Sequence, residues 1–499
     1  MSNVIPFRRA SSQMNRERIH RPEELRLDSL RRFLEDERVN QGAKNGDELT
    51  AFIRALQEQT RALEREAVAR FLEASDVDAD AIEIQGKVHR RVLRSKQVYM
   101  TEVGEVGVER WLFKDRSNPE AKAVAALEER LGVVAGFWTP GAAKTAAWVV
   151  AQMTPQKAEE LFERVAQMQP SKSSLDRLPK ALSERWEQDR ERHEQALREA
   201  IVVPEGTKSI AVMLDGVMAP IDGGKSPTAV RDEAASAGKL SKGPAGYREM
   251  GCATLAFCDN SGDLISAIRF GRAPEPKKAT LKAILSLDLA QVLAKHPELP
   301  VVKIADAGSD NFDYLAKLPA GPEILDFYHA TEHLSAALAA VYGDGTSRTR
   351  RKHEELRDRL LESPKGVDSV INALAYLKRT NPTTPRLDQE LAYFRKNRHR
   401  MRYAEWKAAG YMIGSGVVEA ACKTLVAQRL KLSGMRWSAD GAQAILTLRG
   451  WDQSDRFDEA WALLAATYQC EIHVLAQIVD ISPSPSHRTA RRRKRTTSE

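Results

Sequence analysis

The stretch SIAVMLDGVMAPI, residues 209–221, decides how the larger part of this chain is read: five apolar residues run from Ile210 to Leu214 and an acid, Asp215, follows them. Short apolar runs of this kind continue downstream as CATLAFCD (252–259) and DLISAIRFGRA (263–273). A helix-like TLKAILSLDLAQVLAKH (280–296) comes next, then VVKIADAG (301–308), NFDYLAKL (311–318) and EILDFYH (323–329). Written as elements this is β-β-β-α-β-α-β, a mixed sheet with covering helices. From about 335 to 408 the alternation gives way to Arg- and Lys-rich helical sequence, SRTRRKHEELRDRLLE and YFRKNRHRMRYAEW among it, which reads as a helical insertion.

Upstream the pattern is different. From Pro22 to about Glu73, apolar residues recur at helical spacing with dense charge opposite. Between Lys87 and Lys114, VYMTEVGEVGVERWLF alternates around Gly104-Glu105 and predicts a β-hairpin over 98–114. Thr139-Pro140 and Thr154-Pro155 each place a capping residue before a proline suited to the first helical position. A further helix opens at Ser171-Lys172-Ser173-Ser174, with Pro179 near its first turns. Helix, short polar turn and helix make a helix-turn-helix candidate, with Lys172, Ser173 and Arg177 toward DNA, although an ordinary helical hairpin has the same spacing. The expected organisation is a helical region to 97, the hairpin, a helical DNA-binding region over 115–203, a sheet-containing domain over 204–480 and a tail over 481–499.

The 499 residues suggest two to four domains. Seventy-six Lys and Arg against 69 Asp and Glu leave a net charge of only +7, but the ends are strongly basic, and polyanions fit as partners. Four scattered cysteines, Cys252, Cys258, Cys422 and Cys470, form neither a disulfide framework nor a zinc knuckle and suit a reducing cytosol, with Cys252, Cys258 and Cys422 packing as small apolar residues. No apolar signal core and no stretch of about 18–20 apolar residues occurs, so the expectation is a soluble, unsecreted protein with no membrane partner. The tail SPSPSHRTARRRKRTTSE cannot build a core and is expected to be disordered, either holding phosphates or merely aiding solubility.

Three acids stand out. Asp215 follows AVML and Asp306 ends VVKIA, so both fall on or just after strands of one sheet, where side chains cluster at an edge. Each has a plainer account: Asp215-Gly216 as a hairpin turn, although Asp222-Gly223-Gly224 is the better turn, and Asp306-Ala307-Gly308 as a loop capped by Ser309 or Asp310. Glu419, with Gly416 as N-cap, suits the free amides of a helix start and has Lys423 one turn on. Together, carboxylates from two strands and a helix on the same sheet can converge on divalent cations, and Mg²⁺ prefers such oxygens while leaving positions open for a phosphate. After Glu419 come basic residues only, Lys423, Arg429, Lys431 and Arg436, toward a polyanionic substrate, with Trp437 able to stack on a splayed base or to plug the core.

LDGV, IADAG, LDFYHATEHL and GSGVVEAACKTLVAQRLKLSGMRW resemble the DDE transposases of bacterial insertion sequences, specifically the ISKra-type group, related to the Mutator-like transposases. The resemblance spans most of residues 98–465 and is most specific at the last two motifs; TPGAAKTAAWVVAQMTP…SSLDRLPKALSERWE is similar to that family's helical region before the catalytic domain. It implies an RNase H-like fold with Asp215, Asp306 and Glu419 as metal-binding catalytic triad, two Mg²⁺ ions with Mn²⁺ as a substitute, and transposition as the function. It also implies element terminal inverted repeats and target DNA as partners, a homodimer or higher oligomer, and action in the bacterial cytoplasm on the nucleoid. Asp306 follows Asp215 by 91 residues and Glu419 follows Asp306 by 113, which suits an RNase H-like core with an insertion before the glutamate. Many insertion-sequence transposases carry a basic residue seven after the glutamate; position 426 here is Val, so Lys423 or Arg429 takes that place, and Asp310 rivals Asp306 as a ligand. Asp326 and His329, in a signature similar to one in Mutator-like proteins, would support the site by orienting a ligand or contacting DNA.

Two other readings stand beside this one. His329-Ala330-Thr331-Glu332-His333 matches H-x-x-E-H, an inverted zinc-peptidase pattern with two imidazoles one helical turn apart, although the sequence names no third ligand. A DNA-binding regulator of the same fold that no longer cuts is the other.

Overall fold

The computed structural model describes residues 22–36, 39, 41–118, 120–165, 168–221 and 246–475. The chain is mixed α/β and divides into two compact units, one built before Pro140 and from Tyr468 on, the other spanning Pro140–Thr467. The division falls inside the stretch expected to form one helical region over 115–203.

In the first unit, α1 (Pro22–Glu35) and α2 (Gly46–Ala74) form a helical hairpin, with the Phe33 and Phe52 rings stacked 5.6 Å apart. Asn45 caps α2: its side chain accepts from Glu48 N at 2.9 Å, while Glu48 accepts from Lys44 N at 2.8 Å. Helix ends at Ala74 rather than near 97, and an antiparallel five-stranded sheet follows in the order β10–β1–β2–β3–β4. Its strands are β1 (Ala81–Ile84), β2 (Lys87–Thr101), β3 (Gly104–Asp115), β4 (Val124–Ala125) and β10 (Ile472–Val474), and the short helix α3 (Ala126–Leu131) follows β4 directly. The hairpin is longer than the expected 98–114 and turns at Glu102-Val103, with Gly104 at φ 104° opening the second arm and Thr101 Oγ1 donating to its carbonyl at 2.7 Å. Its first arm escaped the alternation test because the register shifts between Arg91 and Leu93, and that bulge leaves Val92 and Leu93 both about half exposed.

The second unit holds a mixed sheet in the order β7–β6–β5–β8–β9. Strands β5 (Ser209–Pro220), β6 (Tyr247–Cys258) and β7 (Leu264–Arg272) run antiparallel in succession; β8 (Val301–Ala305) is parallel to β5, and β9 (Glu323–Leu325) to β8. The parallel steps pass through α8 (Ala279–Lys295) and α9 (Ser309–Leu315). Ile210–Leu214 are all buried, as a central strand covered on both faces requires. Since β5 continues to Pro220, Asp215-Gly216 is mid-strand and not a hairpin turn; Asp222-Gly223-Gly224 and the tail over 481–499 lie outside the described residues.

Helices precede and follow the sheet. Before it come α4 (Pro140–Gln152), α5 (Pro155–Val165), α6 (Lys172–Gln188) and α7 (Arg190–Glu199). After β9 the chain turns directly into α10 (Phe327–Tyr342), then α11 (Ser347–Glu362), α12 (Gly366–Thr380), α13 (Pro385–Asn397) and α14 (Tyr403–Ala408), so the helical insertion begins earlier than residue 335. The last stretch is α15 (Gly416–Ala421), a π turn (Cys422–Ala427), α16 (Gln428–Leu430), α17 (Ala439–Asp452) and α18 (Phe457–Ala466).

One buried charge centre ties helices to the sheet's flank. Asp288 on α8, 3% exposed, is 2.9 Å from Arg198 and 3.8 Å from Arg456. Burial pushes its carboxyl up, and the two guanidinium groups oppose that. Asp288→Ala should cost about 3–5 kcal/mol in urea unfolding, because two largely buried cations lose their counter-ion; a loss under about 1 kcal/mol would show that the cations find water instead.

Candidate active site

Pairing between β5 and β8 runs from Ile210↔Val301 to Met213↔Ile304, and carrying it two residues further sets Asp215 level with Asp306. The spacing of 91 residues is therefore the register of two neighbouring parallel strands. Pairing of β8 with β9 reaches Ala305↔Leu325, and one more step sets Asp306 level with Asp326. Three aspartates thus stand in a row across adjacent strands. Glu419, from α15, lines the same cleft of about 190 Å³ as Asp215, Asp306, Asp326, His329 and Ser415.

Each candidate ligand is held by neutral donors. Asp215 accepts from Gly216 N at 2.7 Å and from Cys422 Sγ at 3.5 Å; Asp306 accepts from Asn311 Nδ2 at 3.0 Å and Gly308 N at 3.3 Å; Glu419 accepts from Ser415 Oγ. Among the described residues none of the three is in an ion pair. Cys252 faces Asp215 across β5 and β6, and the Cys422 thiol is pushed far up, first by Cys252, then by burial and the Asp215 charge. It is therefore a protonated donor to Asp215, a contact the sequence did not suggest.

Asp326 does a different job. It is fully buried and caps α10, accepting from Tyr328 N and His329 N at 3.2 Å each and from Ser415 N at 3.1 Å. Phe327 N donates to Ile413 O at 3.1 Å, so the chain just before α15 is sewn to the end of β9. A Cβ at Gly414 would sit 3.0 Å from the Tyr328 ring, so a larger residue there would push that exposed ring aside. Asp326 fixes the loop that delivers Glu419, and its oxygens face amides. The π turn at Cys422–Ala427, immediately beyond, widens the helix where Cys422 reaches Asp215.

The expected nucleic-acid contacts separate into two groups. Lys172, Ser173 and Arg177 are exposed on α6, whose other face buries Leu175, Leu178, Leu182 and Trp186; Ser171 caps it. Lys423, Lys431 and Arg436 are also exposed. Arg429 is not: it is 1% exposed, with Nε and Nη2 each 3.3 Å from the Val150 carbonyl in the last turn of α4. Burial lowers it to about 10, and the Trp437 ring lies 5.1 Å from its guanidinium while Trp437 Nε1 donates to Leu430 O. The pair plugs the core rather than facing a strand. One signal was available: Arg429 lies three and four residues beyond Val426 and Leu425, on the apolar stripe.

The two histidines of HATEH also diverge in role. His329 lines the cleft with Nδ1 3.8 Å from Glu332, whereas His333 Nδ1 lies 2.6 Å from the buried Glu390 and its ring stacks on Tyr393 at 3.7 Å. Among the described residues, no three His, Cys, Asp or Glu side chains are grouped tightly enough to hold an ion as they stand. The carboxylates of the cleft nonetheless suit Mg²⁺: their donors are hard oxygens, and the bonds now holding Asp306 and Glu419 come from neutral groups within five residues of each. No protein-family model matches the chain, and no curated protein matches it.

Proposed function

We propose that this protein is a DNA transposase of the DDE type, carrying out strand cleavage and strand transfer with Asp215, Asp306 and Glu419. The observation that carries the reading is the meeting of these three acids, 91 and 113 residues apart in sequence, in one cleft with no cationic partner among the described residues. The strand order, with three antiparallel strands and two parallel ones beyond the first, supports an RNase H-like domain. The ISKra-type motifs lie on the parts that build the cleft: LDGV on β5, IADAG leaving β8, LDFYHATEHL from β9 into α10, and GSGVVEAACK into α15.

Asp215, Asp306 and Glu419 would hold Mg²⁺, with Mn²⁺ as a substitute, and the bound ions would activate a water or 3′-hydroxyl and stabilise the leaving oxygen of an in-line displacement. The rest falls to the chain. Strand β5 carries Asp215 into the cleft at the end of the buried run Ile210–Leu214, Asn311 and Gly308 N orient Asp306, and Ser415 with Asp326 sets the approach of Glu419. Lys423, Lys431 and Arg436 would steady the strands, α6 would read the element ends through Lys172, Ser173 and Arg177, and two or more copies would bring both ends together.

A labelled DNA carrying the gene's native flanks, incubated with the protein and Mg²⁺, should acquire new 3′ ends at a defined position. Binding without new ends in either Mg²⁺ or Mn²⁺ would replace this reading with that of a non-cutting regulator.

A further inference from the structure

Beside the carboxylates lies a group of lysines that neither the fold nor the acids explain. The 3-10 turn Pro276–Lys278 leads into α8 and places Lys277, Lys278 and Lys282 within its first turns. Lys278 and Lys282 are one helical turn apart, where like charges repel, and cations at the start of a helix oppose its dipole. Lys277 and Lys278 both have φ 55°, a conformation uncommon for residues with side chains. Every one of these features costs stability.

Their placement is specific. Lys278 Nζ donates to the Asp215 carbonyl at 3.3 Å and lies 2.9 Å from Glu249, which ties the group to the strand of the first acid. Lys282 Nζ sits 5.5 Å from the centre of the Tyr314 ring, and Tyr314 Oη donates to the Lys282 carbonyl at 3.0 Å. Tyr314 belongs to α9, which opens three residues after Asp306, and Lys317 N donates to Tyr314 O at 2.9 Å. Burial first, then Lys278, and further on Lys317 and Lys277, hold the Lys282 ammonium below the usual lysine range, with Asp310 pulling the other way. Among the described residues, Lys277, Lys282 and Lys317 have no ion-pair partner.

We propose that Lys277, Lys282 and Lys317 form a rail for the phosphate backbone of a DNA strand, holding it alongside Asp215 and Asp306. The inference rests on the reading of the cleft as a DNA-cutting site. Carboxylates repel a strand before any cation is bound, and ammonium groups on the two elements flanking Asp215 and Asp306 offset that repulsion. A small anion would need an enclosed cradle, whereas Lys277 and Lys317 are exposed and sit on separate elements, as a polyanion with several phosphates requires.

The test measures binding without catalysis. A fluorescein-labelled duplex with the native flank is titrated in EDTA, by anisotropy, across a salt series, with wild type, a Lys277→Gln/Lys282→Gln/Lys317→Gln variant, and a control of equal charge loss, Lys352→Gln/Lys365→Gln/Lys407→Gln on the helical insertion. The rail variant should bind at least roughly tenfold more weakly, and its log–log salt slope should be shallower by roughly 2.7, about 0.9 for each lost contact. The control should stay within about twofold of wild type, and Asp310→Asn should bind more tightly than wild type. Equal binding by rail variant and control overturns the rail, even if the wild type cuts DNA. Rail-dependent binding by a wild type that never cuts in Mg²⁺ keeps the rail and overturns the cleavage reading. A wild type that binds no DNA overturns both.

Discussion

Asp215→Asn should abolish strand cleavage, by at least about 10³-fold in rate, while the protein stays folded and bound to its DNA. The expectation follows from where Asp215 sits. It is the one acid of the three inside a strand, held in the ladder with β6 by the pairs before, at and after it, so it cannot move aside to let another carboxylate serve. Asn keeps the oxygen that accepts from Gly216 N and loses only the long contact from the Cys422 thiol, so a stability change of about 1 kcal/mol or less is expected. Cleavage is read as new 3′ ends on flank DNA, folding as the urea midpoint. An Asp215→Asn protein that cuts at even a tenth of the wild-type rate would remove Asp215 from the chemistry and the proposed triad with it.

What made Asp215 and Asp306 visible from sequence was local: an apolar run buried on both sides, then an acid. Two such runs in one sheet share an end, and the register shows why both acids reach it. Glu419 was visible as an acid at a helix start, but its neighbours were not, because the contacts from Ser415 to Asp326 and from Cys422 to Asp215 join residues 89 and 207 positions apart. The five-stranded antiparallel sheet was half missed for another reason. KVHRRVLRSKQ, in the first arm of its hairpin, has several exposed apolar side chains and a bulge, so neither period shows. Arg429 was misread because a charge was taken as solvent-facing, when its spacing put it on the buried face and a carbonyl at the end of α4 was there to receive it. Composition says what a side chain prefers; it does not say what the rest of the chain will offer it.

Asp326 invites confusion with the triad, since it stands level with Asp306 in the same cleft, and substitutions separate the two roles. Asp326→Ala leaves the buried amide of Ser415 and the partly buried amides of Tyr328 and His329 without an acceptor, and at about 1–3 kcal/mol for each unsatisfied group, partly relieved by water, a loss of about 3–5 kcal/mol is expected. Asp326→Asn retains the oxygen that serves Tyr328 and Ser415 and loses the bond from His329, so its cost should be about 1–2 kcal/mol. A residue that acts by holding the Glu419 loop should tolerate that exchange: Asp326→Asn should still cut, slowed by about 10–100-fold, and the deficit should not shrink when Mn²⁺ replaces Mg²⁺. If Asp326 were instead a ligand of the catalytic ions, the Asn variant would be as inactive as Asp215→Asn. The loop contacts have their own readout: Asp326→Ala, which removes the acceptor of Ser415 N, should speed amide exchange there, whereas Asp326→Asn, which keeps that oxygen, should leave the amide protected.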